Sequence, residues 1–344
     1  MSEGPSASSY EAAGVSIERG DKATEMMRVS VEATHGSQVL SAMGGFAGLY
    51  ALSSSYAEPV LASTIDGVGT KVLIAKALGR YGSLGTDIVN HCANDVLATG
   101  AKPLLFLDYV ASGRLEPENV AEIVGGAAKA CGALGIALVG GETAEMPGLY
   151  REGDFDVVGV CMGACERWEV VTGEAVEVGD VVIGLSSSGL HTNGYTLARK
   201  VLEDADLSYS EKPEGFDHSL GEVYLEPHRA YVPEILALRK EVEVRGMAHV
   251  TGGGLLGNLP RALGGAGARL YSDSWEELPV FGLIRSLGGI TEEEMRRVFN
   301  LGVGFCVVVP QRDVEKALEV LRGVGCDARC IGEVVAVEGV EFAR

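Results

Sequence analysis

The sequence predicts an α/β protein of two domains, and three features of the chain lead to this prediction. In the first half, short apolar runs that are typical of buried strands alternate with longer segments of helical periodicity. The same alternation returns in the second half, between the apolar runs at residues 181–185 and 328–337. Residues 166–179 are charged and aperiodic, so we place the domains at residues 1–168 and 169–344.

The elements of the first domain alternate along the chain, and Pro117 marks the start of one helix. We predict helices over residues 21–34, from Lys71 onward, and over residues 83–99 and 117–134. We predict a glycine-rich passage at residues 44–49 and strands at residues 59–64, 102–108, 136–139 and 154–162.

Residues 66–71, with the sequence DGVGTK, join the first strand to a helix. Gly67 and Gly69 allow backbone N–H groups to approach an anion, Thr70 offers a hydroxyl, and Lys71 offers a cation. Asp66 is placed to hold a divalent metal ion beside a phosphate. The spacing matches neither the Walker pattern nor G-x-G-x-x-G, so a tight turn capped by Asp66 explains this segment equally well when it is taken alone.

Four polar side chains follow one face of the predicted helix over residues 83–99. Asp87, His91, Asn94 and Asp95 recur at helical spacing, and apolar rows flank them on both sides. Because unpaired carboxylates are unfavourable to bury, we expect an interior helix with one edge lining a cavity. We interpret Asp95 as a metal ligand and His91 as its hydrogen-bonded neighbour, since Mg²⁺ prefers oxygen ligands.

Acidic residues follow two further strands of the first domain. The strand at residues 102–108 ends in Asp108, and the strand at residues 136–139 leads into GGETAEMP at residues 140–147, which contains Glu142. Together with Asp66, three strands therefore end at or near a carboxylate. A shared metal and phosphate site explains this recurrence better than three independent surface turns do.

The second domain uses strands followed by loops without carboxylates. The strand at residues 181–185 opens into a Ser/Gly loop before a helix to residue 202, and HVTGGG at residues 249–254 precedes a helix at Leu255. Hydroxyls and amides suit a sugar phosphate, and a helix cap by Thr192 or Asn193 is an alternative that does not exclude it. We also predict a surface insertion at residues 207–221, helices at residues 231–239, 295–299 and 313–321, and strands at residues 304–310 and 328–337.

The composition excludes some classes of partner. A net charge of −20 argues against nucleic-acid binding, because that affinity comes from clustered Lys and Arg. An acidic protein that handles an anion therefore needs local cations or Mg²⁺. No apolar stretch reaches about 18 residues, and residues 1–14 lack the basic and apolar regions of a leader, so we expect a cytoplasmic protein without a membrane partner.

The seven cysteines are odd in number, form no C-x-x-C motif and lie mostly in apolar runs, which favours reduced core thiols. Cys161 with Cys165 and Cys326 with Cys330 have a spacing that would also allow metal binding. No histidine lies near either pair in the sequence, so we interpret both pairs as packing residues.

With these loops in view, the chain resembles the aminoimidazole ribonucleotide synthetase family, also called phosphoribosylformylglycinamidine cyclo-ligase. The resemblance runs from residues 9–10 to NLGVG at residues 300–304. DGVGTK is shared with wider relatives, whereas GGETAEMPG at residues 140–148 and HVTGGG are more specific. The family implies a homodimer, with a mixed sheet of each N-terminal domain closing a dimeric β-barrel and a C-terminal α/β sandwich with a mixed sheet.

The resemblance also implies an ATP-dependent ring closure and assigns roles to the candidate residues. ATP would phosphorylate the formyl oxygen of formylglycinamidine ribonucleotide, and the amidine nitrogen would then displace phosphate. Mg²⁺ would be held by Asp66, Asp95 and Glu142, and the catalytic candidates are Lys71, His191 and His249. ATP would contact Gly67, Gly69, Thr70, Lys71, Asp87, Asn94 and Asp108, and the ribonucleotide would contact Ser187, His191, Asn193, Thr251, Gly252 and Gly253.

Three positions depart from the pattern of this family. His91 stands where an apolar residue is usual, His228 precedes Arg229 where threonine is usual, and Gly20 is followed by aspartate in place of asparagine. The first departure favours a noncatalytic His91, and the second leaves His228 without a family role.

Rival functions come from the same superfamily and from a different class. A selenide-activating enzyme needs an early cysteine, but the first one here is Cys92, and a hydrogenase-maturation enzyme needs a C-terminal cysteine, whereas the chain ends at Arg344. A thiamine-phosphate-directed kinase is a third rival. A catalytically idle ATP-binding scaffold is disfavoured, because such a protein has no physical reason to keep clustered carboxylates.

Overall fold

A computed structural model describes residues 15–343 of the chain. The interpretation of residues 1–14 as a polar segment without a leader lies outside the described residues. Across the described part of the chain, no helix is both long enough and apolar enough to cross a membrane.

The first sheet has four strands: β1 (Pro59–Gly67), β2 (Lys102–Ser112), β3 (Ala137–Glu145) and β4 (Phe155–Glu166). Their order is β1-β4-β2-β3, with β2 parallel to β3 and the other neighbours antiparallel. One face of the sheet carries Phe106, Val157 and Cys161, all fully buried. The other face carries Leu61 and Ile65, which are 62% and 68% exposed.

The helices of the first domain are α1 (Ile17–Glu32), α2 (Val72–Leu78), α3 (Gly82–Ala98) and α4 (Pro117–Leu134). Ser16 caps α1 by accepting a hydrogen bond from the Arg19 N–H, and Pro117 begins α4. The helix α3 lies under the buried face of the sheet, so its apolar rows meet β1 and β4. The prediction of an interior helix is confirmed: Asp87 and Asn94 are fully buried, His91 is nearly so, and the Asp95 side chain remains 28% exposed.

The second sheet has six strands: β5 (Val181–Ser186), β6 (Gly246–His249), β7 (Gly267–Tyr271), β8 (Val303–Val309), β9 (Ala328–Val335) and β10 (Gly339–Ala343). Their order is β10-β7-β9-β5-β8-β6, and only β10 and β7 are parallel among these pairs. Two hydrophobic clusters cover the two faces, and the larger one continues into the first domain. The predicted α/β class with two mixed sheets is confirmed.

The helices of the second domain are short. They are α5 (Tyr195–Asp204), α6 (Leu220–Leu225), α7 (Val232–Leu238), α8 (Gly254–Asn258), α9 (Pro279–Gly288), α10 (Glu292–Val298) and α11 (Val314–Gly323). Thr291 caps α10 by accepting a hydrogen bond from the Glu294 N–H.

Six of the seven cysteines are buried, and Cys330 is exposed. The packing interpretation is therefore confirmed for Cys161, Cys165 and Cys326, and it is wrong for Cys330. Residue 330 lies near the start of β9, where Arg329 and Cys330 are both exposed before the buried Ile331.

Candidate active site

The loops at residues 66–71, 186–194 and 249–254 meet between the two domains. The Lys71 ammonium donates to the carbonyl oxygen of His191 over 3.2 Å, and the hydroxyls of Thr70 and Thr196 are 3.0 Å apart. A Cβ placed on Gly252 would lie 3.2 Å from the Asn193 side chain. These contacts bring the three segments to one region of the structure.

Two carboxylates and two imidazoles form the centre of this region. His91 Nε2 lies 3.0 Å from Asp66 Oδ2 and 3.7 Å from Asp95 Oδ2. His249 Nδ1 lies 2.8 Å from Asp95 Oδ1. The Thr64 hydroxyl donates to Asp95 Oδ2 over 3.2 Å. Asp66 reaches this cluster from the end of β1, His91 and Asp95 from α3, and His249 from the end of β6.

Both carboxylates are suited to hold a cation. Burial opposes the ionisation of Asp66 and Asp95, but the neighbouring histidines outweigh it, so the pKa of each carboxyl lies below its usual value. Two ionised carboxylates within reach of one point are a donor set that a divalent metal ion satisfies. The residues present therefore fit a divalent cation.

A continuous row of contacts connects His91 to Asp95 through buried side chains. His91 Nδ1 lies 2.7 Å from the Thr192 hydroxyl, which lies 3.2 Å from His228 Nδ1. His228 Nε2 lies 2.9 Å from His249 Nε2, and His249 in turn contacts Asp95. Burial and the nearby cationic groups lower the pKa of His228 well below its usual value, so this ring is neutral.

A cavity of about 500 Å³ opens beside the two carboxylates. It is lined from the first domain by Ser63, Thr64, Asp66 and Asp95, and from the second by His249, Thr251, Asn258 and Arg261. Hydroxyls, one guanidinium and two carboxylates thus face the same space. This arrangement suits an anionic ligand that arrives with a metal ion.

Lys71 has a different position from the predicted one. Its side chain is fully buried, and the ammonium donates to Asp87 Oδ1, to the His191 carbonyl oxygen and to the Glu226 carbonyl oxygen over 2.8, 3.2 and 2.7 Å. These three acceptors use the three protons of the ammonium, so Lys71 faces the interior and presents no cation to the cavity. Asp87, predicted to contact ATP, is its partner.

Asn94 is likewise committed inside the protein. Its side-chain amide donates to the Arg229 carbonyl oxygen and accepts from the Tyr231 N–H, over 2.8 and 2.9 Å. The Gly67 N–H also has an internal partner, because it donates to Asp66 Oδ1 over 2.6 Å. These contacts orient a carboxylate and a loop, and the ATP contacts predicted for Asn94 and for the Gly67 amide stay predictions.

The ribonucleotide candidates line the loops of the second domain. The Ser187 hydroxyl donates to Asn300 Oδ1 over 3.0 Å, and the Thr251 hydroxyl donates to Asn258 Oδ1 over 3.2 Å. His191 is buried with φ 63°, a conformation that non-glycine residues rarely adopt, and its Nε2 accepts from the Ser188 N–H. Such strain is typical of residues that a surrounding site holds in place.

Glu142 and Asp108 lie away from Asp66 and Asp95. Both line a separate cavity of about 350 Å³ between α1, the passage at residues 42–48 and the edge of β3. Glu142 pairs with Tyr109, on the sheet face opposite to α3, whereas Asp108 pairs with Gly159 on the buried face. Within one chain, the structure therefore does not bring Glu142 to the other two predicted metal ligands.

Sequence reasoning missed three contributors to the site. His228 is fully buried at the centre of the imidazole cluster, Thr192 connects His91 to it, and Arg261 supplies the cation of the cavity. A departure from the family pattern was the only signal for His228. Arg261 gave no signal, because it lies in a short 3₁₀ turn after α8, outside the motif HVTGGG.

Comparisons with protein families cover most of the chain. Residues 47–165 match the model described as AIR synthase related protein, N-terminal domain, and residues 177–343 match AIR synthase related protein, C-terminal domain.

Among curated proteins, the chain is similar to two enzymes named phosphoribosylformylglycinamidine cyclo-ligase. It is 48% identical over 333 residues to that of Myxococcus xanthus, covering 96% of both chains. It is 47% identical over 335 residues to that of Gloeobacter violaceus, covering 97% of this chain and 99% of the relative.

Among solved structures, the fold is similar to thiamine-monophosphate kinase from Stenotrophomonas maltophilia, with a TM-score of 0.71, 18% identity, and coverage of 93% and 95% of the two chains. It is also similar to the E. coli hydrogenase maturation protein HypE, with a TM-score of 0.64, 18% identity and 93% coverage of both chains. At this identity the likeness concerns the fold alone.

Proposed function

Because the chain belongs to the phosphoribosylformylglycinamidine cyclo-ligase family, we propose that it closes the imidazole ring of a purine precursor. The reaction converts formylglycinamidine ribonucleotide and ATP to 5-aminoimidazole ribonucleotide, ADP and phosphate. The observation that carries this proposal is the 48% identity with a cyclo-ligase over 96% of both chains. The rival superfamily enzymes share the fold at 18% identity only.

The reaction needs a leaving group that the substrate lacks. The γ-phosphoryl group of ATP passes to the formyl oxygen and ADP departs. The amidine nitrogen then bonds to the former formyl carbon, the carbon–oxygen bond breaks, and phosphate carries the oxygen away. Such transfer depends chiefly on positioning and on neutralising the charge of the phosphates.

Asp66 and Asp95 would hold Mg²⁺, which neutralises the triphosphate when it is bound. Arg261 faces the same cavity and supplies the local cation there, because the Lys71 side chain is buried. Gly69 and Thr70 follow the end of β1 by two and three residues, and we keep them as contacts for the nucleotide phosphates. The buried Lys71, Asp87 and Asn94 act as positioning residues, because they fix α3 and the loop after β5.

The ribonucleotide is assigned to the loops of the second domain. Ser187, His191 and Asn193 belong to one loop, and Thr251, Gly252 and Gly253 belong to the other. The closeness of Gly252 to Asn193 supports a single ligand site formed by both loops. His191 is the candidate for handling the proton that the amidine nitrogen loses, because burial lowers its pKa well below the usual value and its Nδ1 makes no hydrogen bond among residues 15–343, whereas both nitrogens of His249 already have partners.

We further propose that the enzyme works as a homodimer in the cytoplasm. Leu61 and Ile65 are largely exposed on one face of the first sheet, beside Leu105, Leu107 and Met162. Exposed apolar faces of this kind mark interaction sites, and a second copy closing a β-barrel would cover this one. Glu142 lies on the same face, so its part in the metal site is proposed only across that interface.

The test uses the purified full-length chain with ATP, Mg²⁺ and formylglycinamidine ribonucleotide. We expect ADP, phosphate and aminoimidazole ribonucleotide to form in equal amounts. Asp95→Ala should lower kcat at least about 100-fold, because a charge-stabilising group is lost. Asp204→Ala, at an exposed position of α5, is the matched control and should keep full turnover.

Two results would contradict the proposal. ADP release that does not depend on the ribonucleotide would overturn the substrate assignment. Unchanged turnover by Asp95→Ala would remove Asp95 from the metal site, while the family assignment would stand.

A further inference from the structure

His91 Nε2 is a buried polar atom in an unusual place. Among residues 15–343 it has no hydrogen-bond partner, although two carboxylate oxygens face it at 3.0 and 3.7 Å. Buried polar atoms are nearly always satisfied, and an exception calls for an explanation such as an ion. A cation shared by this nitrogen and the oxygens of Asp66 and Asp95 would satisfy all three groups.

A second imidazole nitrogen completes the group. One ligand atom from each of His91, Asp95 and His249 lies within 4.8 Å of the others. Ligands held at about 2.0–2.2 Å from one ion are roughly 3–4 Å apart, which is the spacing between His91 Nε2 and the two carboxylates. Small side-chain adjustments therefore bring His91, Asp95 and His249 to one ion, and Asp66, 3.0 Å from His91 Nε2, stands at the edge of this group.

The other nitrogen of each ring is already held in position. His91 Nδ1 lies 2.7 Å from the Thr192 hydroxyl, and His249 Nε2 lies 2.9 Å from His228 Nε2. Metal-binding histidines nearly always use their second nitrogen in this way, because the contact fixes both the tautomer and the ring orientation. The buried surroundings thus present each free nitrogen toward the carboxylates.

From these contacts we propose that Asp66, His91, Asp95 and His249 bind a first-row transition metal ion in preference to Mg²⁺. Imidazole nitrogen suits ions such as Co²⁺ and Zn²⁺, whereas Mg²⁺ takes oxygen ligands almost exclusively. The inference rests on the proposed function and deepens it, since it names the metal of the same site. It also reverses the interpretation of His91 as a mere neighbour, which assumed Mg²⁺ as the ion.

A protonated His91 is the competing explanation. An imidazolium between Asp66 and Asp95 would neutralise them without a metal, and the free protein would then bind transition metals no better than Mg²⁺. The experiment separates the two explanations because it measures metal binding directly, without ATP or ribonucleotide.

The full-length chain carrying Cys330→Ser, which removes the exposed thiol, is freed of metal and titrated with Co²⁺. Visible absorption reports the nitrogen and oxygen ligand field, and competition with Mg²⁺ gives relative affinities. We expect one Co²⁺ per chain, and about 10–100-fold weaker Co²⁺ binding in His91→Leu, with Mg²⁺ binding little changed. His218→Leu, at an exposed position far from the site in sequence, should bind Co²⁺ as the parent does.

Equal affinities of the parent for Co²⁺ and Mg²⁺, or unchanged Co²⁺ binding in His91→Leu, would overturn the inference. Near-ultraviolet circular dichroism checks that His91→Leu is folded, and Asp66→Asn serves as a second variant, for which we also expect weaker Co²⁺ binding. Ring closure with Mg²⁺, together with no preference for Co²⁺ over Mg²⁺ in binding, would contradict this inference alone. Tight Co²⁺ binding without ring closure under any metal would contradict the proposed function instead.

Discussion

The ammonium of Lys71 has no contact with solvent, so its charge is balanced inside the protein. Its partner Asp87 is equally buried, 2.8 Å away, and also accepts a hydrogen bond from the His228 N–H. Burial acts against the charged form of both groups, because it lowers the pKa of Lys71 and raises that of Asp87. The charged forms of Lys71 and Asp87 are therefore stabilised by their contact with each other. Each side chain also holds a different loop through its other hydrogen bonds.

Lys71→Met should lower the free energy of unfolding by about 3–5 kcal/mol, because Asp87 is left as an uncompensated buried charge. Urea unfolding followed by circular dichroism measures this change. Lys76→Met is the matched control, since Lys76 is half-exposed and pairs with Asp154 at the surface. We expect a loss of at most about 1 kcal/mol there. Equal losses of unfolding free energy in both variants would show that burial of the Lys71–Asp87 pair does not determine its contribution to stability.

Asp108 makes stability depend on pH in the direction opposite to most carboxylates. Burial raises its pKa to about 7 from an ordinary value of 3.8. Between those two values the folded chain binds the proton more tightly than the unfolded chain, so this residue's contribution to stability falls as pH rises and levels off above pH 7.

Asp108→Asn should therefore stabilise the protein at pH 8 by up to about 4 kcal/mol, and the difference from the parent should shrink toward pH 4.5. Urea unfolding at several pH values gives both curves. Asp217→Asn, in an exposed loop, provides the comparison and should leave the pH dependence as it is. A pH-independent effect of Asp108→Asn would contradict a raised pKa.

At the scale of elements, the helices α3 and α4 approach until their backbones touch. A Cβ on Gly126 would lie 1.9 Å from the Gly82 carbonyl oxygen, and one on Gly85 would lie 1.9 Å from that of Ile123. The two glycines therefore set the distance between the helices. Because α3 carries His91 and Asp95, this spacing also sets the position of these two side chains relative to the sheet.

Gly126→Ala should destabilise the protein by about 1–3 kcal/mol or more, because the helices must move apart. It should also lower turnover, since α3 shifts with its ligands. The neighbouring Gly125→Ala is the control: no atom lies within 4 Å of its added Cβ, and the better helix propensity should add up to about 1 kcal/mol. Thermal unfolding and a turnover assay measure both. A Gly126→Ala variant that is more stable than the parent would show that α3 and α4 move apart without cost.

Regular elements were predictable where one local rule dominates. The helix Pro117–Leu134 was predicted with its observed bounds, because proline and a left-handed glycine mark its two ends. The strand predicted at residues 136–139 is in fact β3, Ala137–Glu145, since its second half consists of glycines and polar residues whose partner in β2 holds them extended. The short strands β6, β7 and β10 were missed, because their pairing is set by distant segments. The helix α9 was also missed, although Pro279 and the left-handed Gly289 mark its two ends.

At the scale of the whole molecule, the sequence predicted that Asp66 and Asp95 lie at one site, but not what the neighbouring side chains do there. Asp66 and His249, which stand in the motifs DGVGTK and HVTGGG, are connected through His91 and Asp95. The internal role of Lys71 was not predictable, because its acceptors come from residues 87, 191 and 226, which only the fold brings together. The position of Glu142 was not predictable for a similar reason, since one residue of register decides which sheet face it occupies.

The exposed sheet face makes a prediction for the assembly. The double variant Leu61→Arg with Ile65→Arg should be monomeric, because burying each of these side chains contributes about 1.5–3 kcal/mol and a buried charge reverses that gain. Light scattering after size exclusion gives the mass, and turnover should fall with the dimer. Val337→Arg, at a side chain 77% exposed in the second domain, should stay dimeric and active. A parent chain that is monomeric yet fully active would remove the dimer from the proposed function, and with it any role of Glu142 at the metal.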